Sequence, residues 1–187
     1  MIYLASKSPR RRELLDQIGI KYQCVDVDID ETPLTQEDPA QYVIRMAQQK
    51  AQQAYQKNMT MPLLAADTCV VCDHLILGKP ENQAHFLEIM ELLSDRQHQV
   101  MTAIAVTNGT SQTRLSVSQV TFKKIKPIEA INYWKSAEPL DKAGGYGIQG
   151  KAAIFIKEIH GSYSGIMGLP LYETSELLAE FGVYSLT

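Results

Sequence analysis

Ser6-Lys7-Ser8-Pro9-Arg10-Arg11-Arg12 places two hydroxyls, a lysine and three guanidinium groups within seven residues. The segment directly follows the apolar run Ile2-Tyr3-Leu4-Ala5. The pattern predicts a strand, a hydroxyl-rich turn and a helix. Ser8 suits the N-cap, and Pro9 suits the first helical position, where its missing N–H has no intrahelical partner. A helix start carries free N–H groups and partial positive charge, so it favours anions. Three arginines oppose that dipole, and an external anion would compensate them. Phosphate matches the planar guanidinium fork best. A solvated basic helix face is the other reading of this segment.

Asp67 follows Leu63-Leu64-Ala65-Ala66. A carboxylate in an apolar run must be hydrogen-bonded, metal-bound or catalytic, because burying it bare is costly. A structural aspartate closing a turn through Thr68 is the alternative. The acidic cluster Asp26, Asp28, Asp30 and Glu31 offers oxygen ligands for Mg²⁺ or Mn²⁺, or it forms a solvated loop. In an extended chain the three aspartates share one face and Glu31 takes the other. Glu31 also precedes the Thr32-Pro33 break, which makes it the preferred ligand, with Asp30 directed outward. Lys50 sits at the edge of an apolar helical stripe and either snorkels or clamps phosphate. Lys79 lies between Gly78 and Pro80 in a stiff loop after a strand, where sites are commonly built.

Asp141 to Gly150 holds four glycines in seven residues, Gly144 to Gly150, together with Gln149. Glycine lets a ligand approach the backbone or permits positive φ, and a glutamine side chain both donates and accepts, as reading a base edge requires. The segment matches neither the P-loop nor the dinucleotide fingerprint. A flexible structural loop is its plain alternative. His74, His85, His98 and His160 show no ligand spacing. Cys69 and Cys72 form a lone C-x-x-C, but residues three apart on a strand face opposite sides of a sheet, which speaks against a zinc or redox pair.

The elements that must position these groups alternate between strand and helix. Strands are predicted over Ile2–Ala5, Tyr22–Val27, Leu63–Cys72 with a continuation at Leu75–Leu77, Val100–Thr107, Leu115–Phe122 and Ala152–Ile159. Helices are predicted after Ser8, after Asp38, around Phe86–Leu93, over Ile128–Trp134 and from Pro170 to Gly182. Asn108-Gly109 marks a hairpin. The pattern reads as an α/β fold: a mixed, twisted sheet with helices on both faces, in a single domain spanning residues 1–187.

The composition, with a net charge of −3, disfavours a general nucleic-acid binder, which needs a basic surface excess. It leaves room for a small anionic substrate. Three cysteines without a framework suggest a reducing compartment. No run approaches the roughly 18 apolar residues of a membrane span. A cytoplasmic protein is expected, with neither membrane nor stable nucleic-acid partner.

Taken in order, S-K-S-P-R-R-R-E-L-L at Ser6–Leu15, the acid-then-proline turn at Glu31 and Pro33, Lys50-Ala51, A-A-D-T at Ala65–Thr68, G-K-P at Gly78–Pro80 and D-K-A-G-G-Y-G-I-Q-G at Asp141–Gly150 resemble the Maf family of nucleoside triphosphate pyrophosphatases. The resemblance covers nearly the whole chain. It implies a Maf/ITPase-like fold with a deep substrate cleft, a homodimer and dependence on a divalent metal cation, Mg²⁺ or Mn²⁺. The implied reaction is hydrolysis between the α and β phosphates, giving a nucleoside monophosphate and pyrophosphate. It places the proton acceptor at Asp67, and Glu31, Lys50 and Lys79 match the family's other cleft positions. The mechanism read from these residues puts the metal on Glu31 and Asp67 and phosphate contacts at Ser6, Ser8, Arg11, Lys50 and Lys79, with Arg12 a further candidate cation. Arg10, Thr68 and Gln149 match the branch that prefers dTTP and UTP, and 5-methyl-UTP is a plausible further substrate in nucleotide-pool cleaning. A non-catalytic nucleotide-binding regulator of septum formation is the competing reading. Departures from the family pattern are small: Cys69 and Cys72 are expected only to pack, and Gly145 only to loosen its loop.

Overall fold

The computed structural model describes residues 1–185. Its centre is a seven-stranded mixed sheet. The strands are β1 (Ile2–Ala5), β2 (Tyr22–Cys24), β3 (Leu63–Cys72), β4 (Leu75–Leu77), β5 (Gln97–Thr107), β6 (Ser111–Phe122) and β7 (Ile156–His160). The main path runs β2-β1-β3-β5-β6-β7, and β4 pairs with β3. β1 is parallel to both β2 and β3, and the remaining pairs are antiparallel. The hairpin expected at Asn108-Gly109 joins β5 to β6, with Thr107 opposite Ser111.

Side-chain alternation along β3 sorts the core. Leu63, Ala65, Cys69 and Val71 face α2 (Pro39–Ala54), which buries Val43, Met46, Ala47, Ala51 and Ala54 against them. Fully burying a Val or Met side chain stabilises by about 1.5–3 kcal/mol, so this stripe holds α2 in place far more firmly than its cap does. The cap itself forms as expected: Asp38 Oδ1 accepts from the N–H groups of Ala40 at 2.9 Å and Gln41 at 3.2 Å. On the opposite face Leu64 and Ala66 join α1 (Pro9–Gln17) and α6 (Leu171–Glu180), while Val70 and Cys72 join α3 (Gln83–Leu93) and α4 (Pro127–Trp134). This face therefore carries two separate clusters, with Thr68 between them. Cys69 and Cys72 belong to different faces, as their spacing requires.

Four local expectations change. The strand at Tyr22 stops at Cys24, although Val25 N–H still bonds to Leu4 O at 2.9 Å. Beyond it the alternation survives without a strand partner: Val25, Val27 and Ile29 pack on the α2 cluster, while Asp26, Asp28 and Asp30 face solvent. The segment from Ala152 opens as a 3₁₀ turn over Lys151–Phe155, because its buried residues, Ala152 and Phe155, lie three apart rather than two. The short helix α5 (Tyr163–Met167) had no periodicity long enough to announce it. Ser8 adopts an N-cap backbone conformation, yet its hydroxyl makes no capping bond.

Candidate active site

The site arises where the sheet is left incomplete. β1 pairs with β3 only as far as Ala65, and β4 covers the same edge only from Val70. Among the described residues no strand lies beside that edge from Ala66 to Cys69. After Ala5 the chain turns away through Ser6–Ser8 into α1, and a cleft of about 820 Å³ opens over the gap. Its walls are the Ser6–Arg11 turn, the segment from Val27 to Pro33, the loop around Lys79 and the Asp141–Gln149 segment.

Asp67 points to the α2 side of the gap. Lys50 Nζ, on α2, contacts Asp67 Oδ1 at 2.6 Å and Glu31 Oε1 at 2.5 Å. The Lys50 and Asp67 side chains retain only 12% and 11% of their exposure, against 48% for Glu31. Burial, the largest influence, pushes the Asp67 carboxyl above its ordinary range, although the charges of Lys50 and Arg11 pull the other way. Burial pushes Glu31 up as well. There the Lys50 hydrogen bond and the charges of Lys50, Lys79 and Arg11 together prevail, and its pKa is lowered. The two neighbouring carboxyls are thus driven apart, the arrangement that assigns different duties to paired acids.

Thr68 points to the other face and meets the arginine turn. Arg11 donates from Nη2 to Thr68 Oγ1 at 3.2 Å, from Nη1 to Ser6 Oγ at 3.1 Å and from Nε to Gly168 O at 2.7 Å. Burial lowers the Arg11 pKa, with Asp67's charge opposing it. Thr102 Oγ1 donates to Gly165 O at 2.7 Å, so in its 2.9 Å contact with Thr68 it must accept. Thr68 has therefore spent its only proton on Thr102 and can offer a ligand an acceptor alone. Ser6 Oγ also accepts from Ser8 N–H at 3.2 Å, which shapes the turn, and Ser8 itself lines the cleft.

Every residue of the expected site lines this one cleft: Ser6, Ser8, Arg10, Arg11, Glu31, Lys50, Asp67, Thr68, Lys79 and Gln149. Arg12 does not. It lies a further residue along α1, and its charge is felt by Tyr22 instead. Arg10 Nη1 pairs with Asp141 Oδ2 at 3.1 Å, which links the two walls. The glycine segment is a series of tight turns. Gly145 (φ +67°) is required there: a Cβ would sit 2.9 Å from Phe86 Cδ2, so the expectation of mere looseness is overturned.

The sequence reading missed the clamp that holds Glu31 in place. Arg45 donates from Nε and Nη2 to the two oxygens of Glu37, each at 2.6 Å, and also to Thr32 O at 3.2 Å. Tyr42 Oη donates to Glu31 O at 2.9 Å. Lys7 also lines the cleft. It was visible in the basic segment but carried no distinguishing signal.

Among the described residues no three His, Cys, Asp or Glu side chains form a metal cage. Glu31 and Asp67 nonetheless fit a Mg²⁺-type ion, which takes one or two carboxylates plus substrate phosphates. Both touch one ammonium, which keeps their oxygens within roughly 5 Å of each other. Neither Cys69 nor His98 offers an ionised group to this site. Burial pushes the Cys69 thiol up to about 12, which keeps it protonated, and holds His98 down at about 4, which keeps it neutral.

Fold and site together define an α/β protein whose cleft is built for a polyanion, with an acid–lysine–acid bridge at its floor. The chain belongs to the Maf family, whose model, described as Maf-like protein, matches residues 1–181. A dTTP/UTP pyrophosphatase of Alkalilimnicola ehrlichii is 47% identical over 97% of this chain and 93% of its own length. One of Saccharophagus degradans is 49% identical over 97% of this chain and 89% of its own. Among solved structures, a HAM1 protein from Coxiella burnetii superposes with a TM-score of 0.50 at 23% identity, covering 96% of this chain and 98% of that one, which places the fold alone.

Proposed function

We propose that this chain hydrolyses dTTP and UTP to the nucleoside monophosphate and pyrophosphate, and that 5-methyl-UTP and similar modified pyrimidine nucleotides are further substrates, in keeping with pool cleaning. The observation that carries this reading is the Glu31–Lys50–Asp67 bridge at the unpaired edge of β3, inside a cleft whose other charged groups are mainly cations. The names of the relatives support the substrate. A nucleotide sensor would need the cations but not two acids whose proton affinities are driven apart.

A triphosphate repels an attacking nucleophile until its charge is offset. Lys50, Lys79, Lys7 and Arg11 supply fixed positive charge, the largest expected catalytic contribution. Ser6, Ser8 and the free N–H groups opening α1 hold phosphate oxygens. Asp67 takes a proton from the attacking water, and its raised pKa brings it nearer the operating pH, which suits a base. The hydroxyl attacks phosphorus at the α–β anhydride; a new P–O bond forms as the bridging P–O bond breaks, and the nucleoside monophosphate and pyrophosphate separate. Glu31 and Asp67 would hold Mg²⁺ or Mn²⁺, which when bound offsets phosphate charge as a Lewis acid. Arg10, Thr68 and Gln149 select the base. We place the enzyme in the cytoplasm as a homodimer; among the described residues no helix is long and apolar enough to cross a membrane.

The test is a panel of canonical and modified nucleoside triphosphates with Mg²⁺, Mn²⁺ or chelator, products resolved by chromatography. Pyrophosphate and monophosphate should appear, fastest from dTTP and UTP, and chelation should stop the reaction. Orthophosphate as the product, or binding without turnover, would overturn the proposal. Gln149→Ala should erode the pyrimidine preference more than the summed activity.

A further inference from the structure

Gln149 is exposed, lines the cleft and sits in a turn closed by Gly150 N–H on Gly147 O at 3.0 Å. The turn is built around one carboxylate. Glu138 Oε1 accepts from Tyr133 Oη at 2.8 Å, and Tyr133 Oη in turn accepts from Gly147 N–H at 3.2 Å. Glu138 Oε2 accepts from Lys151 N–H at 3.0 Å. Both ends of the segment 147–151 are thereby tied to a single side chain.

The carboxylate also fills the concave side of the turn. A Cβ on Gly150 would lie 2.2 Å from Glu138 Oε1, and one on Gly147 would lie 3.4 Å from it. Gly150 is bare because Glu138 occupies the space, whereas a Cβ on Gly147 would first meet Lys142 Cε at 2.9 Å. Lys142 Nζ donates to Glu138 O at 2.7 Å and fixes the backbone from which the carboxylate springs. Tyr133 is buried at the end of α4, and burial, with its bond to Glu138, raises its pKa. Its hydroxyl therefore stays protonated and donates to the carboxylate. Ile148 is turned inward at 5% exposure, which leaves Gln149 as the outward residue of the turn.

We infer that Glu138 is a positioning residue for base recognition: with Tyr133 it sets the turn that presents Gln149 to the nucleobase, and so it governs the pyrimidine preference without touching substrate. The inference rests on the proposed reading of Gln149 as a base reader. Glu138→Gln is the sharpest perturbation. If the amide oxygen keeps the Tyr133 bond, the amide N–H₂ faces Lys151 N–H, donor against donor, and the turn must shift. Tyr133→Phe removes one hydroxyl while keeping the ring in the core, and carries the test should Glu138→Gln fold poorly.

The experiment measures kcat/KM for dTTP and dATP in the wild type, Glu138→Gln, Tyr133→Phe, Gln149→Ala and the Glu138→Gln/Gln149→Ala double variant. Glu138→Gln should lower the dTTP/dATP ratio by about ten- to a hundredfold, the cost of misplacing a contact group, and mainly through KM for dTTP. Tyr133→Phe should move it in the same direction. The double variant should show no further loss beyond Gln149→Ala, because the two residues act as a unit. Amide exchange at Gly147 and Lys151 should quicken in both single clasp variants. A ratio that falls with Gln149→Ala but holds in Glu138→Gln and Tyr133→Phe, or an additive double variant, overturns the inference alone. A ratio unmoved by Gln149→Ala overturns the reading of Gln149, and the inference with it.

Discussion

Replacing Asp67 with asparagine should separate catalysis from stability. Asp67 is 8% exposed, and burial lifts its pKa above the ordinary aspartate value despite Lys50 at 2.6 Å. A raised folded-state pKa means that the native protein binds this proton more tightly than the unfolded chain does. Stability is then lost as pH rises from the unfolded value of about 3.9 through the folded one, so at neutral pH the ionised carboxylate is a net burden on the fold. Asparagine has the same shape, needs no ionisation and keeps a carbonyl oxygen for Lys50. It exchanges a charge-assisted hydrogen bond for a neutral one, a loss of about 1 kcal/mol, against relief of the burial penalty. The two effects oppose each other. Since about 1 kcal/mol moves Tm by about 2–4 °C in a chain of this size, Tm at pH 7 should stay within about 4 °C of the wild type or rise.

Catalysis has no such compensation. An amide cannot take the proton from water, and losing a general base costs about 10²–10⁴ in rate, or about 2.7–5.4 kcal/mol of barrier. The assays are pyrophosphate release at saturating dTTP and scanning calorimetry on the same preparations. Near-normal turnover in a folded Asp67→Asn protein would refute the base assignment. A Tm drop beyond about 8 °C, some two to four times the hydrogen-bond loss, would instead make Asp67 a structural carboxylate.

Two further outcomes follow from contacts remote from the reacting atoms. Gly145→Ala should destabilise by about 2–4 kcal/mol, read as a lower urea midpoint, because a left-handed backbone costs about 1–2 kcal/mol for alanine and its methyl must displace the Phe86 ring; a loss below about 0.5 kcal/mol would show that the loop is slack. The Arg45 hydrogen bonds, aided by Leu34 N–H, hold Glu37 at about 2. This lowered pKa supplies stability that is present above the ordinary glutamate range and is lost as pH falls through about 2. The Tm gap between wild type and Glu37→Gln should therefore be open at pH 5 and closed near pH 2, and a gap that stays constant would remove the clamp from the account.

The parts of the fold legible in the sequence were those with local causes. The α2 stripe, the Asp38 cap and the Asn108-Gly109 turn each write their geometry into a few adjacent residues. Ala152 and Phe155 misled because apolar residues in a short run do not declare their period until burial is known. The site residues were legible because a carboxylate after four apolar residues, or a lysine between glycine and proline, is conspicuous by its type. Their supports were not. Glu138 and Tyr133 are an ordinary acid and an ordinary aromatic until Gly147, Gly150 and Lys151 are folded onto them. Glu37 precedes the Asp38 cap and Arg45 lies within α2, so no single helical or strand period announces their pairing.

The least legible feature is the one on which the chemistry depends. Asp67 and Thr68 are consecutive on β3, so the strand sends them to opposite faces of the sheet. Within a complete sheet they would face separate compartments, Asp67 among the α2 side chains and Thr68 between two apolar clusters. They meet one cleft because β1 stops opposite Ala65 and β4 begins only at Val70. The gap leaves the edge of the strand open, so a single ligand can reach around it to both faces. The acid–lysine–acid bridge then lies on one side, and the arginine and hydroxyl groups on the other. Chain order could have placed the same residues in a continuous sheet and left them without a shared opening. Where β1 ends is set by Ser6–Ser8 leaving the sheet to begin α1, so the basic turn both opens the cleft and lines it.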